Sequence, residues 1–156
     1  MGAQTRGIAD PLIEYGHVGL DTMCFIYHFE ANPKYIAFTN ALFNLVEEGK
    51  LRATTSTLTL AEILIKPIEQ GNKAAVDDYK YALTNFPNLV LCDINAEIAE
   101  EAASLKVGYG VRLPDALQVA TSIIQGARVF ITNNQNLKRI KETEILIVRE
   151  LLVGEF

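Results

Sequence analysis

The stretch His17-Val18-Gly19-Leu20-Asp21-Thr22-Met23-Cys24-Phe25-Ile26-Tyr27-His28-Phe29-Glu30 decides the fold. His17 to Leu20 is a short apolar run that ends at an acid, and Thr22 to Glu30 reads as a helix. The same alternation continues along the chain. Pro33 opens a second helix, in which Phe38, Ala41, Leu42, Leu45 and Val46 share one face and which Gly49 stops. Leu51 to Thr55 is a strand candidate, and Ser56 or Thr57 caps a helix that runs to about Gln70 and bends at Pro67. Asn72 to Phe86 is a more polar helix, and Leu89 to Cys92 a clear strand. Asp93 caps a helix over Asn95 to Lys106, after which Gly108 and Gly110 mark a loop. Pro114 opens a helix with Ala116, Val119, Ala120, Ile123 and Ala127 on one face. Arg128 to Ile131 is a strand, Gln135 to Glu142 a short helix and Ile145 to Val148 a last strand. Short apolar strands separated by helices mean a parallel α/β sheet covered on both faces.

The chain has 156 residues, 49% of them hydrophobic and 21% charged. That is globular composition in a length suited to one domain, with residues 1–16 as an N-terminal extension and 149–156 as a tail. Such a chain buries roughly 68–70% of its unfolded surface and needs no covalent or metal staple. Cys24 and Cys92 both lie in apolar stretches and read as buried, reduced thiols. No apolar run approaches the ~20 residues of a membrane span. Residues 1–16 lack a signal peptide's apolar region, and Arg6 stands where a myristoylation motif needs Ser or Thr. The expected location is the cytoplasm.

The net charge of −5 comes from 14 basic and 19 acidic residues, and it argues against bulk electrostatic binding of nucleic acid. The balance is uneven: residues 1–101 hold 7 basic and 14 acidic residues, residues 102–156 hold 7 and 5. Arg112, Arg128, Lys138, Arg139 and Lys141 all fall in the second part. They form either a basic rim beside an acidic pocket or ordinary solvated surface.

Ligands of open parallel sheets bind outside the carboxyl ends of the strands. Asp21 follows the first strand, Ser56 and Thr57 the second, Asp93 the third, and Thr132, Asn133 and Asn134 the fourth. Glu62 and Asp115 lie in otherwise apolar helical segments, where an inward-facing acid needs a partner or a cation. Three gathered carboxylates repel one another until protons or a metal compensate. Hard oxygen donors without imidazole or thiolate suit magnesium or manganese, which can activate water against a phosphodiester. Each acid also has a local reading. Asp21 can cap the helix at Thr22, Glu62 completes a Thr59-x-x-Glu62 capping box, and Asp115 suits a first-turn dipole. His17 and His28 lack metal-ligand spacing and read as structural. An aspartyl-phosphate site wants a second Asp where Met23 stands, and Gly108 and Gly110 do not make a phosphate loop.

Taken together, four segments resemble the PIN-domain family. Leu20-Asp21-Thr22-Met23-Cys24-Phe25-Ile26-Tyr27 resembles its first motif, and Ser56-Thr57-Leu58-Thr59-Leu60-Ala61-Glu62-Ile63-Leu64 its second. Leu113-Pro114-Asp115-Ala116-Leu117-Gln118-Val119-Ala120-Thr121 is similar to the third, and Phe130-Ile131-Thr132-Asn133-Asn134-Gln135-Asn136-Leu137 to the fourth. The likeness spans His17 to Val148 and is greatest to VapC-type toxins. It implies a three-layer α/β/α fold around a mainly parallel sheet of about four to five strands. It also implies a magnesium- or manganese-dependent endoribonuclease that is the toxin of a toxin–antitoxin pair, with RNA as substrate, an antitoxin as partner and a homodimer as a common assembly. Asp21, Glu62 and Asp115 would hold the metal, with Thr22 or Thr132 in support and Asn134 beside them. Arg112, Lys138, Arg139 and Lys141 would contact RNA. Asn134 departs from the family, which commonly has an acid there, and points to one ion, not two. The competing expectation is a PIN-fold protein with weak or no catalysis that binds RNA or regulates.

Overall fold

The computed structural model describes residues 7–153. Its elements are β1 (His17–Leu20), α1 (Thr22–Phe29), α2 (Ile36–Glu47), β2 (Arg52–Ser56), α3 (Thr57–Glu69), α4 (Lys73–Asn85), β3 (Leu89–Cys92), α5 (Ala96–Tyr109), α6 (Leu113–Ile124), β4 (Val129–Thr132), β5 (Glu144–Ile147) and α7 (Val148–Leu152). Short 3-10 turns cover Asp10–Tyr15 and Gln135–Arg139.

The five strands form one sheet in the order β3-β2-β1-β4-β5, and every neighbouring pair is parallel. From β1 the chain first moves outward through β2 to β3, then crosses back over β1 to β4 and β5. Right-handed crossovers in opposite directions deposit their helices on opposite faces. Two hydrophobic clusters follow from this. One packs α1, α2, Ile63 of α3 and Leu83 of α4 against Val18, Leu20, Ala53, Val129 and Ile131. The other packs α5 and α6 against Phe130. Alternate residues of β4 thus belong to different cores, which is why its four residues are all buried. Ala9 and Leu12, beside and within the first 3-10 turn, are fully buried in the first core.

Several boundaries move from their sequence-based positions. The second helix begins at Ile36 rather than Pro33, because Pro33 to Tyr35 form a turn before it. Asn95 caps α5 by accepting from the Ile98 N–H, whereas Asp93 is exposed and caps nothing. Gly108 lies inside α5, and only Gly110 marks its end. Its φ of 68° is the left-handed C-cap that turns the chain toward α6. The capping box fails as well. Ser56 caps α3 by accepting from the Leu58 N–H, and Thr59 turns its hydroxyl into the interior.

One close approach sets the position of α6. A Cβ added at Gly19 would lie 2.0 Å from Ser122 Oγ and 2.5 Å from Ser122 Cβ. The missing side chain on β1 lets α6, which carries Asp115, lie against the middle of the sheet.

Candidate active site

The chain reverses its direction of travel between β1 and β4, so the carboxyl ends of these two strands open a crevice. The β1–β4 register pairs Leu20 with Ile131, and one step further sets Asp21 beside Thr132. Thr132 Oγ1 donates to Asp21 Oδ2 at 2.6 Å, and the Thr22 N–H donates to Oδ1 at 2.8 Å. Asp21 therefore caps α1 and faces the crevice at the same time. The two readings of its sequence position are not exclusive.

Glu62 comes from α3 and Asp115 from the first turn of α6. A cavity of about 410 Å³ is lined by Asp21, Thr22, Glu62, Asp115 and Gln118, with Lys66 and apolar neighbours at its margin. The structure thus brings the three expected acids to one place at the carboxyl edge of the sheet. They are unlike in exposure: Asp21 and Asp115 are half-buried and Glu62 is exposed. Burial raises the Asp21 carboxyl to about 6; the Thr132 and Thr22 hydrogen bonds oppose the rise, and the Asp115 and Glu62 charges add to it. Burial also raises Asp115, with Glu62 adding to the shift and the Arg112 guanidinium opposing it.

Asn134 stands across from Asp115. Its Oδ1 accepts from the Asn136 N–H at 3.0 Å, which leaves its Nδ2 to donate to Asp115 Oδ2 at 3.2 Å. The backbone donor fixes the amide orientation, so Asn134 offers the site a hydrogen-bond donor and keeps its oxygen for capping. A smaller cleft of about 90 Å³ continues from here, lined by Arg112, Asp115, Asn134, Asn136 and Arg139. Two of the expected RNA-contacting residues, Arg112 and Arg139, therefore border the acids. Lys138 is held by Glu150 at 2.6 Å, and Lys141 lines neither cavity.

Sequence reasoning missed the polar layer beneath the acids. Gln118, Thr55, Ser56 and Thr59 are all buried and hydrogen-bonded to one another or to Thr22. Its signal is the hydroxyl-rich run Thr54-Thr55-Ser56-Thr57, together with an amide interrupting the apolar stripe of α6.

The PIN-domain family model matches residues 18–143, which is most of the chain. This chain belongs to the PIN-domain family. PIN domains are nucleases that generally use divalent metals. Among solved structures, it is similar in fold to a chain of VapBC2 from Rickettsia felis, bound to a DNA fragment from their promoter. The TM-score is 0.67 at 18% identity, covering 84% of this chain and 98% of that one. A chain of a toxin–antitoxin complex from Klebsiella pneumoniae gives 0.62 at 21% identity, covering 83% and 95%. A chain of DNA-bound VapBC from Salmonella typhimurium gives 0.63 at 21% identity, covering 84% and 96%. A comparison with curated protein sequences finds no match.

The fit to a divalent cation can be tested on the donors present. All are oxygens, and Glu62 Oε2 and Asp115 Oδ1 accept no protein hydrogen bond among the described residues. That set suits a hard cation. Among the described residues, however, no three acid, histidine or cysteine side chains are already grouped to hold one ion.

Proposed function

We propose that this chain is a metal-dependent endoribonuclease that hydrolyses RNA phosphodiester bonds, and that it is the toxin of a cytoplasmic toxin–antitoxin pair. The observation that carries the reading is the meeting of Asp21, Glu62 and Asp115 at one cavity at the β1–β4 crevice of a PIN domain. In this reading the three carboxylates hold magnesium or manganese. A cation so held polarises a phosphoryl oxygen and lowers the pKa of water. Thr132 and the Thr22 N–H keep Asp21 oriented and favour its ionised form. Arg112 and Arg139 bind flanking phosphates, which offsets the acidic net charge locally. Asn134, its oxygen turned away, supports one ion, not two. The VapBC and toxin–antitoxin names of the structural neighbours support an antitoxin as partner.

A second reading, a PIN domain that binds RNA without cutting it, is favoured by the Asn134 amide donating to Asp115 where the family commonly has an acid. A cleavage assay on structured RNA, with and without manganese, separates the two. The nuclease reading expects manganese-dependent cutting by wild type that Asp115→Asn abolishes. RNA binding without cutting in both proteins supports the second reading, and cutting retained by Asp115→Asn overturns the site.

A further inference from the structure

We propose that Gln118 is a positioning residue: through Thr22 it fixes where Glu62 presents its carboxylate. The proposal deepens the nuclease reading and rests on it for the role of Glu62.

Gln118 lies on α6, three residues after Asp115, and is only 3% exposed. Ser56 Oγ lies 2.7 Å from Gln118 Oε1, which carries no proton, so Ser56 is the donor. The rest of the network fixes the amide this way round: with its ends exchanged, Thr22 and Thr59 would both have to donate to Gln118, leaving no proton for the 2.6 Å contact to Glu62 or the 2.7 Å contact to Thr55. Gln118 Nε2 then faces Thr22 Oγ1 and Thr59 Oγ1, each at 2.8 Å, and gives one proton to each. Both hydroxyls accept from Gln118 and still hold their own proton.

Those two protons have defined destinations. Thr55 donates to the Leu20 carbonyl at 2.9 Å, so the 2.7 Å contact between Thr55 and Thr59 must be a donation from Thr59. Thr22 Oγ1 stands 2.6 Å from Glu62 Oε1, and an ionised carboxylate only accepts. Thr22 therefore donates to Glu62. The 3.0 Å contact between Thr22 and Thr59 is left without a proton, and the shared Gln118 amide bridges it. The protons run one way, from Ser56 to Gln118 to Thr22 to Glu62.

Without the amide, Thr22 and Thr59 face each other with unfilled acceptor sites in a buried place. Thr22 loses the donor that sets its hydroxyl rotor, its proton divides between Glu62 and Thr59, and its hold on Glu62 loosens. An exposed glutamate so loosened regains rotamer freedom, which binding a cation must then remove again. Leucine or methionine would fill the position if packing were its only role; the amide and its three hydrogen bonds mark a further one.

The test is a double-mutant cycle read by calorimetric titration of manganese into the full chain. Gln118→Leu is expected to weaken manganese binding by about 10-fold, the low end for outer-shell partners. In a Glu62→Ala background the same change is expected to alter affinity less than about twofold, because the residue it acts through is gone. Equal losses in both backgrounds overturn the proposal. Thr22→Val, which cuts the relay and keeps the volume, is expected to behave in the same way and decides the question where Gln118→Leu does not fold. If wild type binds no manganese, the functional reading fails, and Gln118 is then judged by NMR on the metal-free protein. The Thr22 hydroxyl proton is expected to show Overhauser contact with the Glu62 γ protons in wild type, and in Gln118→Leu that contact is expected to weaken as contact with Thr59 appears. Undiminished contact with Glu62 in Gln118→Leu overturns the proposal.

Discussion

Replacing Asp21 with asparagine removes a charge from the most confined acid of the site, and the size of the effect follows from its carboxyl. Burial lifts that group from the ordinary 3.8 to about 6 in the folded protein. The folded state therefore binds the proton more tightly than the unfolded chain, and stability falls as pH rises through that window. At about 1.4 kcal/mol per unit, the ionised group costs the metal-free fold about 3 kcal/mol above pH 6 and almost nothing near pH 4. Asparagine keeps an acceptor for the Thr22 N–H but not the charge-assisted bond from Thr132, a loss of about 1 kcal/mol. Asp21→Asn without metal is thus expected to be about 2 kcal/mol more stable than wild type at pH 7.5, and to lose that advantage near pH 4. The assay is urea unfolding in a chelating buffer at stepped pH, with wild type and variant side by side. A difference that stays flat across the window, or grows as pH falls, refutes the argument. Manganese supplies a control: at about 100 times its dissociation constant it should stabilise wild type by about 2.7 kcal/mol and the variant much less.

Two further predictions rest on other parts of the structure. Gly19→Ala should destabilise the protein by about 1–3 kcal/mol, because the new methyl overlaps Ser122. Ser122→Gly should restore part of the loss, which thermal melts of the single and double variants would show. For single-stranded RNA with manganese present, Arg112→Ala and Arg139→Ala should each lower the salt slope of binding by about 0.7. Lys138→Ala should leave the slope unchanged because Glu150 holds that lysine; unchanged slopes in both arginine variants reject the rim.

The sequence by itself determined the alternation of strands and helices and the parallel sheet. Both follow from apolar runs too short for anything but buried strands and from helix stripes at regular spacing. It also singled out Asp21, Glu62, Asp115 and Thr132, because an acid or hydroxyl at the end of an apolar strand, or within an apolar helical segment, is visible in one dimension; joining them into one candidate site rested on the family resemblance. Element ends were less legible where side chains compete for one role. Asn95 rather than Asp93 caps α5, and Pro33 opens a turn before its helix, since several neighbouring residues could serve equally well locally. Only the tertiary structure decided which basic residues border the acids. Arg112 and Arg139 line one cleft with Asp115 because the start of α6 and the 3-10 turn after β4 lie side by side, while Lys138 is drawn off by Glu150. It alone assigned Gln118, Thr59 and Thr55, each of which has a partner between 35 and 96 residues away along the chain. A buried hydroxyl or amide has meaning only through the geometry of the groups that satisfy it, and that geometry exists only once the sheet has brought the strands together.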